Sequence, residues 1–259
     1  MRLVVVLLLL LAACAPQPVP APPVVQEVSG VVQGELSLSG DVLLVGDLLV
    51  PHGSRLVITA GTRITVQPTD ATKIDPEFLS SQIELLVRGS LQIDGTESAP
   101  VIFRPAGQGD SGDPQWAGII LDGVTDSSLR YLQVHGADTG LLLVATDAFI
   151  TEALITGCRY GLVVQGGSPQ IYNSQISGGE GGVFVWNGAQ PLLDNLLVAD
   201  NAEEGLSIDR SSQPQLISGR LERNAIGLVA ATSVSVETLQ FSANHETIRR
   251  LLPVAGVQP

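Results

Sequence analysis

Residues 161–185 read GLVVQGGSPQIYNSQISGGEGGVFV. One full turn of a coil is written in that stretch. It opens on Gly161 with the apolar run Leu162-Val163-Val164 and crosses a Gly/Ser/Pro turn. It then places Ile171 and Ile176 five positions apart and comes back to Gly182 with Val183-Phe184-Val185. Both marks recur along the chain. Gly118, Gly140, Gly161, Gly182, Gly205 and Gly227 are spaced by 22, 21, 21, 23 and 22 residues. The pairs Leu129/Val134, Ile150/Ile155, Ile171/Ile176, Leu193/Val198, Leu216/Leu221 and Val236/Phe241 repeat in the same phase. A fixed period near 22, carried by two independent series, predicts a solenoid in which each repeat packs on its neighbours.

The segments between the apolar runs are short and rich in Gly, Ser, Asn and Pro, which leaves no room for a three-turn helix in each repeat. Leucine-rich repeats share the period, and Leu192-Leu193-Asp194-Asn195-Leu196-Leu197-Val198 is faintly similar to them. The β-branched content and the two strands per repeat favour a coil of strands and turns alone. The expected fold is all-β, a right-handed parallel β-helix of about nine coils of roughly 22 residues. One more column supports it: Ala137, Cys158, Gly179, Asn201, Asn224 and Asn244 fall at one place in successive repeats. Small residues and Asn tolerate left-handed backbone, so this column is expected at a tight turn, with Asn side chains bonding from coil to coil. Cys158 then reads as a buried turn residue.

Ile171-x-Asn173-x-x-Ile176 and Leu221-x-x-Asn224-x-x-Gly227-Leu228 resemble the repeats of right-handed parallel β-helix proteins, the pectin-lyase-like superfamily. The upstream segments Leu86-Val87-Arg88-Gly89-Ser90-Leu91, Gly95-Thr96, Pro100-Val101-Ile102-Phe103 and Trp116-Ala117-Gly118-Ile119 are similar to bacterial surface proteins of that type. The resemblance covers about residues 31–245. It implies a fold but not an activity, since such coils serve lyases, hydrolases, epimerases and adhesins alike.

The N-terminus carries an address. Met1-Arg2 precedes the unbroken apolar run Leu3 to Leu11, a short positive start and a greasy stretch too short to span a bilayer. The run ends in Leu11-Ala12-Ala13-Cys14, which resembles a bacterial lipoprotein signal, and this resemblance implies lipidation at Cys14. Several acyl chains on one cysteine suffice for firm membrane attachment. Ala15 follows in place of an inner-membrane-retaining aspartate, so the expected location is the bacterial cell envelope, at the outer membrane or cell surface. Ala15 to Pro23 holds five prolines in nine residues, a polyproline spacer. The expected organisation is therefore a signal peptide at 1–13, a Pro-rich tether at 14–30, the β-helix domain at 31–252 and a tail at 253–259.

Residues 31–66 hold further strand patterns and read as the first, narrower coils. Gln67 to Gln82 departs from the period and contains Asp75-Pro76-Glu77-Phe78-Leu79, a short helix start. Gly107 to Pro114 is a Gly/Asp loop, and both insertions are expected to protrude. Glu246 to Leu252 is expected to form a cap with Arg249 and Arg250 outward, since a bare last coil exposes a strand edge.

Composition excludes several functions. With 13 Lys+Arg against 26 Asp+Glu, the net charge of −13 gives no global attraction for nucleic acid. Two cysteines exclude a disulfide framework. His52, His135 and His245 form no catalytic or metal motif. The resemblance would imply either Asn-Thr-Asp, Asp-Asp and Gly-His-Gly motifs for hydrolysis or Asp-bound calcium with an Arg or Lys base for a lyase. The first set is missing. For the second, the period stacks Arg130, Thr151, Tyr172, Asp194, Ile217 and Glu237 in one outward column. There Arg130 and Asp194 are three coils apart, roughly 14 Å at the strand spacing. Asp110, Asp113, Asp122 and Asp126 are the densest carboxylates but lack the spacing of a ligand loop. No cofactor or metal is expected.

One outward column is unusual. Alternation in the strands after the glycines points Ile120, Leu142, Val163, Phe184, Ser207 and Val229 outward, with Trp186 two positions beyond Phe184. An apolar stripe of this length is costly if wet. Either a strand bends here, or residues 24–38 or a loop lie over the stripe, or it is a contact face. Leu142, Val163, Phe184 and Trp186 are thus the candidate binding residues for an envelope protein, a glycan or a second copy, with Trp186 suited to stacking on a sugar ring. The expectation is a non-catalytic, lipid-anchored envelope module held to the membrane by its N-terminal lipid. The alternative is a polysaccharide-active enzyme on the same fold.

Overall fold

A computed structural model describes residues 25–68, 82–107, 113–231 and 234–252. The described residues contain strands and turns and no helix, and every strand-to-strand pairing is parallel. Cys14, the signal and tail segments, the helix start at 75–79 and most of the Gly/Asp loop lie outside the described residues.

The coil is a parallel β-solenoid with three ladders. The chain meets them in a fixed order, seen in one rung as Gln170–Tyr172, Gln175–Ser177 and Gly181–Trp186. The first ladder is the 8-stranded sheet. The second and third make up one 18-stranded sheet, joined at the N-terminal end where the long strand Asp41–Val50 serves both. Rung follows rung in register: Leu129, Ile150, Ile171 and Leu193 align on the first ladder. Val134, Ile155, Ile176, Val198 and Leu221 align on the second, and Leu141, Leu162, Val183, Leu206 and Leu228 on the third. These are the residues of the two sequence series, and they are the interior. Each rung roofs the aliphatic side chains of the one before it, so burial accumulates by nearest-neighbour stacking.

Among the described residues the first strand is Gln26–Val31, which overlaps the segment read as tether and pairs with Asp41–Val50. At the other end the structure corrects the sequence. Glu246–Leu251 is not a separate cap but a strand pairing with Ile226–Ala231. Arg249 points out, whereas Arg250 turns its Nη1 back to the carbonyls of Ala231 and Val234.

The turn column is corrected by one position. Left-handed backbone falls on Gly136, Gly157, Gly178, Asp200, Arg223 and Ala243, each one residue before the expected place. The residues that follow point inward instead. Asn201 donates through its backbone N and Nδ2 to Asn224 Oδ1, at 3.1 and 2.8 Å. Asn224 does the same to Asn244 Oδ1, at 2.9 and 3.1 Å. Asn224 Nδ2 and Asn244 Nδ2 also donate to the carbonyls of Val198 and Leu221 respectively. Buried amides are tolerated because the ladder meets their hydrogen-bonding demand.

Asn224 is the middle amide of that ladder. Replacing Asn224 by Ala is expected to lower unfolding free energy by on the order of 3 kcal/mol, because partners above and below lose their bonds in a dry interior. Denaturant melts of this variant beside Gln175→Ala, a change on the exposed outer face, measure it.

Candidate functional site

Alternation leaves each ladder an outer face, and the four candidate binding residues share one. Leu142, Val163 and Phe184 stand in register on the third ladder between Ile120 and Ser207. Trp186 continues the neighbouring column of Val144 and Gln165. Val163 and Phe184 are each only 5% exposed, while Leu142 and Trp186 are half-buried. The strand Gln26–Val31, one candidate cover, instead extends the sheet beside Asp41–Val50.

Phe184 is held among aromatic neighbours. Its ring meets Tyr160 edge-on at 5.4 Å and Trp186 at 5.0 Å. Gly181 makes room for it, since a Cβ there would lie 2.3 Å from Phe184 Cζ. Edge-to-face pairs of this kind contribute beyond their buried area. Arg159 lies over the Tyr160 ring at 5.1 Å and pairs with Asp138 at 2.7 Å. Burial raises the Asp138 carboxyl above its usual range and Glu180 adds to this, with Arg159 opposing. The result is an aromatic patch bordered by an ion pair.

The other candidates are dispersed. Arg130, Thr151, Tyr172 and Asp194 form the expected column on the first ladder. Arg130 pairs with Asp94 at 3.2 Å, one rung back. Sequence reasoning missed Phe149 on this face, which is 41% exposed and leans on Tyr172 at 5.5 Å. The signal was its place one residue before Ile150, which alternation turns outward. Asp122 is bonded to Arg88 at 2.8 Å, and Asp113 and Asp126 are exposed. Among the described residues no group of three or more His, Cys, Asp or Glu is placed to hold a metal ion. His52 and His245 are exposed, and His135 Nδ1 sits 2.7 Å from Thr156 Oγ1.

Cys158 occupies the Asn-ladder position in its rung. Its Sγ faces the carbonyl of Val134 at 3.9 Å, much as Asn224 Nδ2 faces that of Val198. Burial pushes the thiol up to about 12, against partial relief from the backbone of Ala137 and Gly136.

This arrangement defines a class, the parallel β-solenoid with an aromatic patch on one outer face. Residues 117–247, just over half of the chain, match the family described as Right handed beta helix region, and the chain belongs to that family. No curated protein and no solved structure matches it.

A buried thiol with a raised pKa stays protonated and is a poor nucleophile. Cys158 is therefore expected to resist iodoacetamide at pH 8 in the native protein and to react once the chain is unfolded. Mass mapping of the Cys158 peptide reads both states.

Proposed function

We propose that the protein is a lipid-anchored module of the bacterial cell envelope that binds an envelope glycan or protein without catalysing a reaction. The anchor reading rests on the apolar run, the Leu11-Ala12-Ala13-Cys14 sequence and the proline-rich segment after it. The binding reading rests on one observation: Tyr160 and Trp186, both half-buried, gather around the packed Phe184 ring on the outer face of the third ladder. An aromatic surface with a polar border suits the faces of sugar rings and the apolar anchors of protein partners alike. No described group favours the polysaccharide-cleaving alternative.

Trp186 is the better handle for a test, because Phe184 is more deeply packed. Trp186→Ala is expected to weaken capture by about tenfold, the loss of roughly 1.4 kcal/mol of contact, with the melting profile of the domain kept. A panel of envelope glycans and solubilised envelope proteins, bound to wild type and variant, gives the answer. In the same cells Cys14→Ser is expected to move the protein from the membrane to the soluble fraction. Equal capture by wild type and Trp186→Ala would remove the proposed face.

A further inference from the structure

The second ladder has an outer face of different chemistry. Its inward residues are Ile64 and Val66, Val101 and Phe103, then Leu132 and Val134. Alternation therefore turns Arg63 and Thr65, Ile102 and Arg104, and Gln133 and His135 outward. Register assembles them into two columns, one running from Arg63 through Ile102 to Gln133, with Asp41 as Arg63's register partner on the other side, and one with Thr65 beside Arg104. The aligned run of Val101–Pro105 and Leu132–His135 puts Arg104 next to His135 in the second column. Thr65, Ile102, Arg104, Gln133 and His135 line an open groove of about 590 Å³.

The charge of this groove is carried by arginines that no described carboxylate neutralises. Acidic side chains outnumber basic ones two to one, and most arginines are engaged. Arg88, Arg130, Arg159, Arg220, Arg223 and Arg249 each meet a carboxylate. Arg210 and Arg250 donate to backbone carbonyls. Among the described residues no carboxylate pairs with Arg63 or Arg104. Arg104 is close enough to act on His135: burial chiefly, and the guanidinium with it, hold that imidazole below its ordinary pKa. An exposed guanidinium in a concave site, beside an amide, a hydroxyl and an imidazole, offers forked donors to a planar or tetrahedral oxyanion.

We infer that this groove is an oxyanion site: Arg104 holds a carboxylate or phosphate group of a ligand lying across the rungs, Arg63 adds charge at its edge, and Gln133 and Thr65 supply polar contacts. It is separate from the aromatic face and stands whether or not that face binds anything.

The test uses the full chain in detergent, with histidine selectively labelled and the His135 ring followed by NMR. Three probes are titrated: inorganic phosphate, D-glucuronate and D-glucose. A saturable shift with phosphate, glucuronate or both, and none with glucose, is expected; whichever anion acts distinguishes a phosphoryl from a carboxylate source. Arg104→Ala is expected to raise the Kd by about tenfold, the loss of one charge-assisted contact, and Arg63→Ala by about threefold. Arg55→Ala, an exposed arginine on the first ladder, should leave it unchanged. No saturable response to either anion, an equal response to glucose, or an Arg104→Ala Kd within twofold of wild type overturns the site.

Discussion

At the corner where the chain enters the third ladder, successive rungs come too close for any side chain. A Cβ added to Gly161 would lie 2.1 Å from Ile176 Cγ2 and 2.8 Å from the carbonyl oxygen of Gly182. The same obstruction meets Gly140, Gly182, Gly205 and Gly227, each against the carbonyl of the next rung and most against a side chain of the preceding ladder. Glycine here supplies absent volume rather than conformational freedom, since these four and Gly161 do not have left-handed φ. Everything else in the coil leans on that approach. It sets the register that stacks Leu162 on Val183 and Ile155 on Ile176, and the same register fixes which residues share an outer face.

Next to that corner runs the amide ladder, and the two are coupled. The Cβ position of Gly205 is blocked partly by Asn224 Nδ2, and that of Gly227 by Asn244 Nδ2. The close corner thus brings the amides within reach of one another, and the amides tie the corner from rung to rung. Cys158 holds the same position two rungs before the first amide, where a thiol fits the small inward space and tolerates burial. On this scaffold the proposed binding falls to the outer faces, whose grouping the register sets. The aromatic patch and the groove at Arg104 lie on two such faces, one on each of two ladders.

The period, the interior columns and the grouping of Leu142, Val163 and Phe184 were legible in the sequence because the repeat length barely varies from Gly118 to Gly227. The left-handed position was misplaced by one residue because Asn suits both that backbone and an inward amide, and spacing alone does not separate the two. The last rung was misread because Glu246, Arg249 and Arg250 interrupt the apolar pattern that marks the earlier rungs. The arginine groove was illegible for a different reason. The insertions around 67–82 and 107–114 break the period in that part of the chain, so nothing in the sequence aligned Arg63 with Ile102 or Thr65 with Arg104.

The most direct measurement of the central constraint compares two glycines of neighbouring corners by denaturant unfolding. Gly178 has φ +75° and open space around its Cβ position, with nothing nearer than 3.8 Å, so Gly178→Ala should cost about 1 kcal/mol for a left-handed alanine. Gly161 lacks left-handed φ, and chain entropy alone would make alanine there stabilising by up to about 1 kcal/mol. The account predicts the reverse, a loss of at least about 3 kcal/mol for Gly161→Ala as rungs are forced apart. A Gly161→Ala protein as stable as Gly178→Ala, or more so, would contradict it.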